Sequence, residues 1–120
     1  MVEMRVLIAY EECHHIYSDA VEDLLRRCRP YILVMNVPLE ELEDQLERFV
    51  PHLVVCSESN TVAFGGVAAW IELSPEPTAP SKFCVGGQHS EAINPRLAEL
   101  LVVVDEAEKL VRRGTKLAGC

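Results

Sequence analysis

RVLIAY, residues 5–10, is a short unbroken run of apolar and β-branched side chains. A strand with one wet face alternates apolar and polar residues, so an unbroken run predicts burial on both faces, as in parallel sheets. Residues 18–29 then place Ala20, Val21, Leu24, Leu25 and Cys28 on one stripe at helical spacing, with Glu22, Asp23, Arg26 and Arg27 opposite. Ser18 is the predicted N-cap and Pro30 the predicted stop. YILVMNV, residues 31–37, predicts a second strand, and Pro38 opens a second helix where its missing N–H costs nothing. Leu39, Leu42, Leu46, Phe49 and Val50 form the apolar stripe of that helix. HLVVCS, residues 52–57, predicts a third buried strand. Strand, helix, strand, helix, strand with short links implies right-handed crossovers, a parallel sheet and helices on both faces.

The second half is less regular. Residues 58–66 leave little room for a full crossover helix before VAAWIEL, residues 67–73. The next link carries Pro75, Pro77 and Pro80 and cannot be helical, so residues 83–87 are expected to return as an antiparallel hairpin partner. On that reading Trp70, Ile71 and Phe83 form an uncovered apolar edge that supports a homo-oligomer. Asn94 and Pro95 read as N-cap and first turn, and Leu97, Leu100, Leu101, Val104, Ala107, Leu110 and Val111 continue at helical spacing. A final helix over 95–113, roughly 28 Å long, is therefore predicted, with 115–120 as a frayed tail. The expected fold is α/β, three-layered, with parallel strands 1–3, a C-terminal hairpin and a long final helix.

A chain of 120 residues fits one domain, 1–120. The apolar stretch at 50–56 is far short of the ~20 residues that cross a bilayer, and Met1, Glu3 and Arg5 do not form a secretory leader. A cytoplasmic protein with no membrane partner is expected. The net charge of −8, with no basic cluster to offset it, argues against nucleic acid. Cys13, Cys28, Cys56, Cys84 and Cys120 are odd in number and form no C-x-x-C pair. That pattern predicts free thiols, with Cys28, Cys56 and Cys84 acting as small buried hydrophobes.

Over residues 4–60, VLIAYEE, the first amphipathic helix and PHLVVCS together resemble the receiver domain of bacterial response regulators. The resemblance implies a flavodoxin-like fold, an acidic pair binding Mg²⁺ after the first strand, and a phosphoacceptor Asp ending the third. It also implies a Ser/Thr ending the fourth strand and a Lys ending the fifth. Glu11 and Glu12 stand at the acidic pair, although the register equally admits Tyr10 and Glu11. Cys56 and Ser57 occupy the phosphoacceptor place, with Glu58 one residue on. Ser74 matches the hydroxyl, Gly86 and Gly87 replace the Lys, and Lys82 lies at the start of that strand rather than its end. The receiver-pocket equivalents are therefore Glu11, Glu12, Ser57 and Ser74. The resemblance implies a non-catalytic receiver-like signalling domain that acts on an unidentified protein partner and needs no cofactor.

A different class of function remains open from the residues alone. Loops at the C-terminal ends of parallel strands converge and form the default ligand site. Cys13, His14, Cys56 and His89 fall in or near such loops and are zinc-ligating types, though their spacing matches no compact metal motif. The alternative is a metal-binding or small-molecule-binding domain, or an enzyme with a thiol beside a histidine. No G-x-S-x-G turn, Walker loop or G-x-G-x-x-G fingerprint is present.

Overall fold

A computed structural model describes residues 4–11, 15–57, 67–74, 76 and 78–113. Six strands form one sheet: β1 (Arg5–Tyr10), β2 (Leu33–Pro38), β3 (Leu53–Cys56), β4 (Ala69–Glu72), β5 (Pro80–Val85) and β6 (Gln88–Ile93). Three helices accompany them: α1 (His15–Cys28), α2 (Leu42–Arg48), entered through a 3₁₀ turn at Leu39–Glu41, and α3 (Leu97–Arg113). The strand order is β2-β1-β3-β4-β5-β6. β2, β1, β3 and β4 run parallel, while β5 and β6 each run antiparallel to the strand before.

Alternation along each strand divides the core. Val6, Ile8, Tyr10, Leu53, Val55, Ile71 and Phe83 face Val21 and Leu25 of α1 and Leu100, Val104 and Ala107 of α3. Leu7, Ala9, Val54, Cys56, Trp70 and Cys84 face the other way, with Leu42 and Leu46 of α2. The three layers, the parallel first three strands and the long last helix agree with the sequence reading. β1 and β3 are apolar on both faces because both faces are covered.

Several local expectations fail for identifiable reasons. Trp70, Ile71 and Phe83 are buried, not an exposed edge. β6 covers that side, and it escaped notice because QHSEAI is polar and exposed along most of its length. Gly86 and Gly87, at φ 57° and 84°, make the two-residue turn that joins β5 to β6. α1 starts at His15, and Ser18 sits buried in its first turn, its hydroxyl donating to the His15 carbonyl at 2.9 Å instead of capping. Asn94, at φ 48°, turns the chain out of β6, and α3 begins only at Leu97.

Val50, expected on the buried stripe of α2, is 57% exposed. Its φ of 50° is strained for a β-branched residue. The segment is held there by Arg5, whose Nε donates to the Val50 carbonyl at 2.9 Å, while its backbone N–H donates to His52 Nδ1 at 3.0 Å. Two of the thiols differ from expectation, Cys28 being exposed and Cys84 disulfide-bonded, whereas Cys56 is a buried thiol as predicted. No helix among the described residues is long and apolar enough to cross a membrane.

Candidate functional site

The registers place the strand ends side by side. Ala9, Cys56, Glu72 and Lys82 are aligned across β1, β3, β4 and β5. Lys82 therefore stands at the C-terminal edge of the parallel strands, two strands from Cys56. Lys82 lies in the first half of β5, and β5 runs antiparallel to β4 as the sequence predicts. Reversing β5 carries its beginning, not its end, to the edge where the other strands finish.

Each receiver-pocket equivalent can now be located. Glu11 follows β1 and is exposed. Glu12 lies outside the described residues, as do Glu58, Cys13 and His14. Cys56 has no exposed surface, and its side chain belongs to the core on the α2 face. Ser57 follows it, half-buried, and its hydroxyl oxygen is buried without a hydrogen-bond partner among the described residues. Ser74 lies two residues beyond β4; its backbone N–H donates to the buried Ser81 hydroxyl at 2.9 Å, and its own hydroxyl accepts from the Glu76 N–H at 3.2 Å. Ser74 thus shapes its own loop. His89 is elsewhere, on β6, three strands from Cys56, with its Nε2 4.0 Å from Cys84 Sγ. Among the described residues no three His, Cys, Asp or Glu side chains gather as a metal would need.

Tyr10 closes the edge from beneath. Its hydroxyl donates to the Leu73 carbonyl at 3.2 Å, reaching past β3, while the Leu73 N–H donates to the Cys56 carbonyl at 2.7 Å. Burial pushes the phenol well above its ordinary range, with the Cys56 and Tyr17 side chains adding to the shift.

Beside this edge lies a cleft of about 470 Å³ lined by Tyr10, His15, Ser18, Asp19, Glu22 and Asn36, with Val37 and Pro38. Asn36 holds its carboxylates: its amide donates to Asp19 at 3.2 Å and to Glu22 at 3.1 Å. Hydrogen bonds from Asn36 and then Arg26, which reaches Glu22 at 2.7 Å, keep the Glu22 carboxyl below its usual range. The cleft is an anionic, preorganised surface suited to a cationic group. The sequence reading overlooked it, although an asparagine inside the apolar run YILVMNV is a visible signal that something polar packs against that strand.

The chain has no match among protein-family models, curated protein sequences or solved structures.

Proposed function

We propose that this chain is a receiver-like signalling domain that works by protein contact and not by phosphoryl transfer. The observation that carries the reading is the residue at the phosphoacceptor place: Cys56, wholly buried, in line with Ala9, Glu72 and Lys82. A scaffold of β2-β1-β3-β4 parallel strands, an acidic residue after β1 and a lysine at the strand-end edge accompany it. The attacking carboxylate is what is missing, and a buried thiol cannot form the acyl phosphate. The anionic cleft of Asp19 and Glu22, together with a net charge of −8, favours a partner that presents a basic side chain.

The test is incubation with acetyl phosphate and Mg²⁺, followed by intact-mass measurement. No phosphoryl adduct is expected. A hydroxylamine-labile gain of one phosphoryl group would overturn the reading and restore a phosphotransfer role.

A further inference from the structure

A second concavity lies at the other end of the sheet. β5 starts at the strand-end edge and, running antiparallel, delivers Val85 to the far side, level with Ala69 at the start of β4. There Val85, Gly86 and Gln88, at the turn into β6, face the last turns of α3 across a cavity of about 360 Å³. A volume of that order suits a small organic molecule. α3 lines the cavity with Glu106, Lys109, Leu110 and Arg113, whose spacing of three, four and seven residues keeps them on one face of the helix. Val85 and Leu110, both half-buried, are the apolar part of the lining. Gly86, at φ 57°, has no Cβ and leaves its wall open.

The charges on this wall are arranged unlike those on the rest of the helical surface. Arg26 meets Glu22 at 2.7 Å, Arg48 meets Asp44 at 3.1 Å and Arg112 meets Glu108 at 3.7 Å, each cation paired with the carboxylate one turn before it. Lys109 has Asp105 one turn before it, but that carboxylate is taken by the two-pronged pair with Arg29. Arg113 has Lys109 itself one turn before it, and like charges at that spacing destabilise a helix. Among the described residues neither Lys109 nor Arg113 makes an ion pair. Two cations and the single carboxylate of Glu106 leave the wall with one positive charge, on a protein whose net charge is −8. An anion between Lys109 and Arg113 relieves their repulsion. A dianion such as phosphate is a poorer match, because its second charge meets Glu106 and the negative end of the α3 dipole.

We propose that this cavity binds a small organic monocarboxylate, its carboxylate held between Lys109 and Arg113 and its aliphatic body resting on Val85 and Leu110. The Arg113 guanidinium can take the carboxylate with both prongs, while Lys109 acts as a point charge. The site lies apart from the anionic cleft and does not rest on the receiver-like reading.

The experiment is an amide NMR titration of the full chain with hexanoate at constant ionic strength, with hexanol and inorganic phosphate as comparisons. Hexanoate should shift the Gly86, Gln88 and Leu110 amides saturably, with a dissociation constant on the order of 1 mM. Lys109→Gln and Arg113→Gln should each weaken binding about tenfold, and Glu106→Gln should tighten it. All three positions are exposed, so the far-ultraviolet dichroism of each variant should match the parent. Failure of hexanoate to saturate these amides overturns the proposal. Equal binding of hexanol overturns it too, since charge then plays no part. Tighter binding of phosphate than of hexanoate overturns the carboxylate assignment, and an unchanged affinity in the double variant Lys109→Gln, Arg113→Gln puts the ligand elsewhere.

Discussion

His52 shows how one side chain can be pinned in a single protonation state. Its Nδ1 accepts the backbone N–H of Arg5, which an imidazolium cannot do, and burial followed by the nearby Arg5 charge pushes its pKa below the ordinary value of 6.5. The unfolded chain therefore binds this proton more readily than the folded one. Stability from His52 is fully present above about pH 6.5 and is lost as pH falls towards the lower folded value. We expect the urea midpoint of the parent to drop between about pH 7.5 and about pH 5.5, and the drop to shrink in His52→Asn. Equal drops in the two proteins would show that His52 is not the group responsible. Residue roles of this kind were only partly legible. That Cys56 is buried followed from its apolar neighbours, whereas the exposure of Cys28 depends on how α1 is rotated, and Val50 left its stripe because Arg5 holds its carbonyl.

At the scale of elements, periodicity was readable wherever a segment was long and buried. α3 is the clearest case: Leu100, Val104 and Ala107 are buried against the sheet, and such packing supplies most of the stability of a helix this long. Leu100→Ala should cost about 2–5 kcal/mol, while Glu106→Ala on the exposed side should stay within about 0.5 kcal/mol. Paired denaturant titrations decide it; coincident midpoints for Leu100→Ala and the parent would mean that α3 is not docked. Glu108 is a poor control, because it accepts a hydrogen bond from Tyr31 at 3.1 Å. β6 lies at the other extreme. A polar edge strand has no apolar alternation to announce it, and only the glycine pair before it signalled a hairpin. Its polarity has its own logic, since an edge strand of this composition offers little to a second sheet.

For the molecule as a whole, the sequence disclosed the layers and the parallel β1–β3 core but not the direction-dependent consequences. Strand reversal at β5, which the short proline-bearing link announces, decides that Lys82 reaches the strand-end edge, a position that follows only once the registers are known. Polar links tie distant parts of the chain. Arg29 makes a two-pronged pair with Asp105, at 2.9 and 2.8 Å, joining the residue after α1 to the middle of α3 and holding the Asp105 carboxyl below its usual range. The Asn36 bridge to α1 is the other such link that the site depends on.

The Tyr10 hydroxyl, donating across β3 to the Leu73 carbonyl, also sets how the protein meets alkali. An ionised phenol has no proton to donate and little water to receive its charge, so this group holds its proton more tightly folded than unfolded. Its contribution is intact below about pH 10 and drains away above it, by about 1.4 kcal/mol for each further pH unit. In an ultraviolet titration, the tyrosinate band of Tyr10 should therefore rise together with the loss of far-ultraviolet circular dichroism, and Tyr10→Phe should move that loss to higher pH. Ionisation of Tyr10 with the dichroism intact would rule this out. The phenol acts as an alkaline fuse: the strand-end edge opens before the ring can ionise.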